Sequence, residues 1–158
     1  MRKWAAVEEE GETWFGFSAV RAIPGTRDEV LLVPLPGHSR GHCGVAVRRA
    51  DDWLLHCGDA YFHRSEVEPQ FGPAPKGVRF FESLVEFNGA QRRANQARLQ
   101  ELARAAAGEV KLICSHDLSD FFGMKSVQRE AQAAPQPAAR EPVGAPRPVP
   151  QRDLRARR

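Results

Sequence analysis

The sequence lacks long apolar runs and is poor in cysteine. No stretch of about 18 consecutive apolar residues occurs in the 158 residues, so no membrane-spanning helix is expected. The first residues carry two positive charges but no apolar stretch after them, which argues against a signal peptide. Three cysteines without a C-x-x-C pair favour buried, reduced thiols over a disulfide framework. A cytoplasmic location is therefore predicted.

The net charge of +3 comes from the C-terminal end. Residues 129–158 contain seven arginines, three acidic residues and six of the twelve prolines, which leaves about −1 on residues 1–128. We therefore predict one domain over 1–128 and a disordered basic tail rich in Pro, Ala and Arg over 129–158. The domain shows no basic stripe, so a nucleic-acid partner is not expected. The tail is either a solvated extension or a tether for RNA, an acidic partner or a membrane surface.

Strand-like and helix-like patterns alternate within the domain. Residues 13–23 and 29–35 have the composition of strands, and 42–49 with 52–59 are typical of a hairpin. Between 88 and 108 the apolar residues fall at helical spacing, with Asn88 at the predicted start and Gly108 at the predicted end. Residues 109–117 form the last predicted strand. This order of four strands, a linker, a helix and a strand indicates a mixed α/β fold.

Two histidines, His38 and His42, lie four residues apart in "PLPGHSRGHCGVAV". That spacing would place both on one face of a helix, but the glycines and Pro36 argue against a helix here. In a loop the two side chains need not point the same way. One can bind a metal while the other supports it through a hydrogen bond.

Three polar residues, His38, Asp59 and His116, each follow the C-terminal end of an apolar strand. That edge of an α/β sheet commonly carries functional sites, and imidazole and carboxylate groups are zinc ligands. Taken singly, each residue could instead be a turn or capping residue. His56 is expected to pack or face solvent, and His63 remains ambiguous.

The three segments "VPLPGHSRGHCGVAV", "WLLHCGDAYF" and "LICSHD" occur in an order that resembles the metallo-β-lactamase-fold hydrolase superfamily, over about residues 13–120. The resemblance implies an αββα sandwich with a metal site, often dinuclear, of zinc or of iron or manganese. His38 would bind the first metal, Asp59 would bridge, His116 would bind the second, and His42 would support them. A metal-bound hydroxide would then hydrolyse a small ester, lactone, thioester or phosphoester.

The motif H-x-H-x-D-H of that superfamily is absent, and none of the five histidines precedes His38. The sequence therefore predicts the C-terminal half of an αββα sandwich. Each metal would keep two protein ligands where a catalytic zinc normally has three. We expect weak or absent metal binding, little hydrolysis by the chain alone, and an uncovered sheet face that favours a homodimer or a complementing N-terminal half.

Two functions follow from these patterns. The first is an incomplete metal-dependent hydrolase acting on a small molecule, and the alternative is a non-catalytic remnant that serves as an interaction or structural module. Metal content distinguishes them. The insert at 61–88 is long and rich in Phe, Pro and Gly, so it is either substrate-facing or a structural lid.

Overall fold

The fold is a mixed α/β layer, seen in a computed structural model that describes residues 11–133. A six-stranded sheet has the order β1-β2-β3-β4-β5-β6. The strands are β1 (Glu12–Trp14), β2 (Phe17–Ala22), β3 (Val30–Pro34), β4 (Cys43–Arg48), β5 (Trp53–His56) and β6 (Val110–Ile113). The helices are α1 (Lys76–Val85), α2 (Gly89–Ala105) and α3 (Leu118–Ala133), with 3-10 turns at Arg64–Glu66 and Pro69–Phe71. The predicted mixed α/β class is confirmed.

Strand direction brings three strand ends to one edge of the sheet. Neighbours from β1 to β5 are antiparallel, whereas β5 and β6 are parallel. Because β3 and β5 both run opposite to β4, they point the same way as β6. A parallel pair needs a long crossover connection, and the segment from β5 to β6 supplies it with α1 and α2. The C-terminal ends of β3, β5 and β6 therefore lie at one edge.

One face of the sheet forms the core with α2. Alternate residues along β3, β4 and β5 are buried, and they cluster with the apolar stripe of α2: Leu31, Val33, Ala46, Leu55, Leu99, Leu102 and Ala106. The residues between them point to the opposite face. There Leu32, Val45 and Leu54 are only half-buried and Val47 is 39% exposed. The sheet thus has one packed face and one apolar face that is partly open.

The predicted helix at 88–108 is α2, although it ends three residues early. The Asn88 side chain accepts a hydrogen bond from the Gln91 N–H at 3.1 Å, which caps the first turn. Within residues 11–133 no helix is long and apolar enough to cross a membrane. The predicted hairpin is the β4–β5 pair, and the β-rich 13–23 segment is divided into β1 and β2.

Two helices were not predicted. The predicted linker contains α1, whose one buried side chain is Glu82, while Phe80 and Leu84 are exposed. The apolar residues Val78, Phe81 and Val85 do recur at helical spacing, so the sequence carried the pattern of a helix. The unexpected feature is that its polar side, with Glu82, faces the core. The second, α3, runs to Ala133 and so includes the first five residues of the tail predicted for 129–158. The remainder of that tail, and residues 1–10, lie outside the described residues.

Candidate metal centre

The structure brings the three predicted metal ligands together. His38 follows β3, Asp59 follows β5 and His116 follows β6. The Asp59 carboxylate lies between the two imidazoles, with Oδ2 at 3.6 Å from His38 Nε2 and Oδ1 at 3.2 Å from His116 Nε2. Each histidine thus faces a different oxygen of one carboxylate, so imidazole and carboxylate donors lie side by side.

The loop that carries His38 is fixed against the start of α2. The Phe87 N–H donates to His38 O at 3.1 Å, and the Asn88 N–H donates to Gly37 O at 2.8 Å. Gly37 has a φ of 144°, and a Cβ there would lie 2.5 Å from the backbone nitrogen of Arg92. A glycine is required at this position because the loop and the helix backbone touch.

His42 holds Asp59 from behind and has no free ring nitrogen. Its Nδ1 lies 3.0 Å from Leu35 O, and its Nε2 lies 3.0 Å from the Asp59 backbone nitrogen. A carbonyl accepts and an N–H donates, so the ring is neutral with its proton on Nδ1. Burial lowers the pKa of His42 and outweighs the opposing effects of the Leu35 carbonyl and the Asp59 charge. His42 therefore stays neutral and positions the Asp59 backbone.

Gly58 makes this contact possible. Its φ is 57°, in the left-handed region, and a Cβ there would lie 2.7 Å from His42 Nε2. Any other residue would carry backbone strain and would also push His42 away from the Asp59 N–H.

Phe62 packs between the two candidate histidines and was not predicted as a site residue. Its buried ring has its centroid 4.2 Å from that of His116 and 6.0 Å from that of His38. On its other side it lies 6.0 Å from the ring of Phe81 on α1, which is 53% exposed. The only signal in the sequence is its place three residues after Asp59. The 61–88 insert therefore reaches the candidate site through these two rings.

An ion-pair cluster anchors the strand end that bears His116. Asp117 accepts from the backbone N–H groups of Arg64 and Ser119, both at 2.8 Å. Asp120 accepts from Arg64 Nη2 at 2.9 Å and from the Cys114 N–H at 3.1 Å. Burial alone would raise the pKa of Asp117, but the hydrogen bonds that its carboxylate accepts have the larger combined effect. The pKa of Asp117 therefore lies below its ordinary value. Asp117 is thus an ionised anchor beside His116.

The remaining histidines and cysteines have structural surroundings. His63 caps the turn at Arg64–Glu66 through Ser65, and His56 is exposed at the end of β5. Cys57 and Cys114 are buried, and burial raises the pKa of both thiols, that of Cys114 to about 12. The expectation that every cysteine is buried is wrong for Cys43, which is exposed on the open face of β4.

The donor types suit a metal, but their number falls short. Two imidazoles and a carboxylate are ligands of zinc and similar ions. Within residues 11–133, however, no group of three His, Cys, Asp or Glu side chains is arranged to hold one ion. Each Asp59 oxygen lies beside one imidazole, so the described residues form two donor pairs and no triad.

The sequence relatives of this chain are named metallo-hydrolases. No family model matches the chain. A protein named probable metallo-hydrolase from Mycobacterium tuberculosis is 42% identical over 108 residues, which are 68% of this chain and 34% of that relative. The probable metallo-hydrolase of Mycobacterium bovis matches to the same extent. Over these 108 residues the chain is similar to named metallo-hydrolases, which supports its resemblance to the metallo-β-lactamase-fold superfamily. It spans about a third of the length of these curated relatives.

Two solved structures that match part of this chain are lactone hydrolases. One is an N-acyl homoserine lactone hydrolase with N-hexanoyl-L-homoserine at its catalytic metal center; it is 20% identical, with a TM-score of 0.46, over 65% of this chain and 35% of that one. A quorum-quenching N-acyl homoserine lactone lactonase is 22% identical, with a TM-score of 0.42, over 58% of this chain and 33% of that one.

Proposed function

We propose that this chain carries part of the metal centre of a metallo-β-lactamase-fold hydrolase. His38 and Asp59 would hold one ion, and Asp59 and His116 a second, of zinc or of iron or manganese. The observation that supports this assignment is the Asp59 carboxylate lying between His38 Nε2 and His116 Nε2. The three cysteines are free thiols, which supports the proposed cytoplasmic location.

The substrate class we propose is a small ester, lactone, thioester or phosphoester. Metal ions bound here would activate water and polarise the carbonyl or phosphoryl group under attack. The residues of this chain hold the ligands in place: His42 fixes the Asp59 backbone, and Phe62 packs against both imidazoles. The exposed ring of Phe81 would supply an apolar wall for the substrate.

The chain alone would bind metal weakly and hydrolyse little. A catalytic zinc normally has three protein ligands, whereas the described residues offer two to each ion. The curated relatives extend well beyond the length matched here. We therefore propose that further ligands come from a complementing N-terminal segment.

The open face of the sheet is the surface on which that segment would lie. Leu32, Val45, Val47 and Leu54 form an apolar patch on this face. Covering apolar surface stabilises an assembly by about 25 cal/mol per Å². The same patch supports the alternative function, an interaction or structural module without catalysis, and a homodimer is the other way to cover it.

Metal titration of the purified chain tests the proposal. Zinc is added by calorimetry to the chain, to the variants H38A, D59N and H116A, and to H63Q as a matched histidine control. The titrations are then repeated with the part of the Mycobacterium tuberculosis relative that this chain does not match. Weak binding that strengthens with the added part, and is lost in the three variants but not in H63Q, supports the hydrolase. No binding in either condition favours the interaction module.

Hydrolysis of p-nitrophenyl acetate provides the second readout. The rate should rise above that of the chain alone only when metal and the complementing part are both present. A rate that is independent of D59N would contradict the assigned site.

A further inference from the structure

A second concave site lies where β2 and β3 diverge, beside the first turns of α2. This cavity has a volume of about 790 Å³, compared with about 490 Å³ for the cavity beside Arg64 and Asp120. Its wall includes Leu32 and Pro34 of β3, Ala94 of α2 and the His42 ring. A cavity of this size accommodates a small organic ligand.

The charge of the cavity is of one sign. Arg21, Arg40 and Arg98 line it, and within the described part of the chain no aspartate or glutamate does. Five other arginines pair with carboxylates, namely Arg49, Arg64, Arg92, Arg93 and Arg104. Among residues 11–133, the three cavity arginines have no such pair, and neither do Arg27, Arg48 and Arg79. What distinguishes the cavity is that three arginines without ion-pair partners among the described residues line one concave surface, which favours an anion there.

Two of these arginines are held in place by other contacts. Arg98 donates from Nη2 to Gly16 O at 3.1 Å, and its guanidinium carbon lies 4.2 Å from the centroid of the Phe17 ring. Arg40 stacks over the Phe87 ring at 4.7 Å. Positioned guanidinium groups lose less conformational entropy when they bind a ligand.

Arg21 is the member with an unmet hydrogen bond. Its Nε is buried and has no hydrogen-bond partner among the described residues. A buried donor without a partner costs about 1–3 kcal/mol, and a charged donor costs more. An acceptor that reaches Arg21 Nε from the cavity would remove this cost. Arg21 also lines a neighbouring cavity that contains Glu12 and Asp28.

We propose that this cavity binds the oxyanion of a small molecule, a carboxylate or a phosphate, whose apolar part packs on Leu32, Pro34 and Ala94. Guanidinium groups recognise both oxyanions through paired N–H donors. None of the three arginines belongs to the candidate metal centre, so binding requires no metal. Leu32 also belongs to the open sheet face on which we place the complementing segment, so the site is tested on the chain alone, where that face is uncovered.

Calorimetry with the metal-free full chain tests this site. The probes are phenyl phosphate, phenylacetate and the neutral benzyl alcohol. We expect one or both anions to bind, benzyl alcohol not to bind, and the affinity to fall as salt rises. Whichever anion binds more tightly, phenyl phosphate or phenylacetate, identifies the oxyanion as a phosphate or a carboxylate. Equal binding of benzyl alcohol, or no binding of either anion, would overturn the proposal.

Variants locate the binding. R21Q and R98Q should each weaken anion binding about tenfold or more, since each removes a charge-assisted hydrogen bond. R104Q is the matched control, because Arg104 lies on the same helix as Arg98 but pairs with Glu101. R21K and R98K keep the charge but lose the paired donors, so they should bind the anion less tightly than the original chain and more tightly than the glutamine variants. They replace the glutamine variants if circular dichroism shows that those are poorly folded. Affinity unchanged in R21Q and R98Q, or reduced equally in R104Q, would contradict the site.

Discussion

Replacing Gly58 with alanine tests how the site is held together. Two separate costs should arise. The left-handed backbone at φ 57° costs an alanine about 1–2 kcal/mol. Its Cβ, 2.7 Å from His42 Nε2, would displace the ring and leave the Asp59 N–H without its acceptor, which adds about 1–3 kcal/mol. We expect G58A to lose about 2–5 kcal/mol of unfolding free energy.

Urea denaturation followed by circular dichroism measures this loss, and G25A is the matched control. Gly25 also has a positive φ, 87°, but a Cβ there meets nothing within 4 Å. The control therefore carries the backbone cost without the clash. A φ of 87° lies further from the left-handed minimum than that of Gly58, so the control does not understate the backbone cost.

The two variants should also differ at the metal centre. Displacing His42 frees the Asp59 backbone, so G58A should weaken zinc binding to the complemented protein, whereas G25A should not. If G58A and G25A lose the same stability and keep the same zinc affinity, the assignment of His42 as the residue that positions Asp59 is wrong.

Three further predictions follow from other contacts. H42A should weaken zinc binding to the complemented protein about tenfold or more in equilibrium dialysis, while H63Q leaves it unchanged. Equal losses in the two variants would contradict the role of His42 in positioning Asp59. Burial, with the hydrogen bond and charge of Glu66, raises the pKa of Glu82 from 4.5 to about 8 despite Arg92. The folded chain then keeps a proton that the unfolded chain releases, so unfolding free energy should fall as pH rises from about 4.5 to about 8. In urea denaturation, E82Q should reduce the dependence of unfolding free energy on pH, and E101Q, on exposed Glu101, should not. An unchanged pH dependence in E82Q would show that Glu82 is not its cause. V45K, on the open sheet face, should abolish association with the complementing part in size-exclusion chromatography, and E101K should leave it intact; association that survives V45K would place the interface elsewhere.

Much of the site was predictable because its parts are local. A strand that ends in Gly-Asp or in a glycine-flanked histidine carries that residue to the sheet edge, so His38, Asp59 and His116 could be expected near one another. Asn88 predicted the start of α2, because an N-cap needs only a short polar side chain that accepts from a backbone N–H a few residues later. These features depend on residues close together in sequence.

The parts that were missed depend on distant contacts. Glu82 is buried because Arg92 and Gln96 on α2 bond it, so the side of α1 that faces the core could not be predicted from its own sequence. Phe62 joins the site because β6 brings His116 beside it. Arg21 and Arg98 line one cavity although 77 positions separate them in the sequence. Such pairings are set by the fold and leave no local pattern.

The number of zinc ions bound per chain tests the central claim most directly. Mass spectrometry of the dialysed chain, alone and with the complementing part of the Mycobacterium tuberculosis relative, measures it. We predict well under one tightly bound ion for the chain alone, and binding that depends on Asp59 once the complementing part is present. Two tightly bound ions on the chain alone would contradict the account of an incomplete centre.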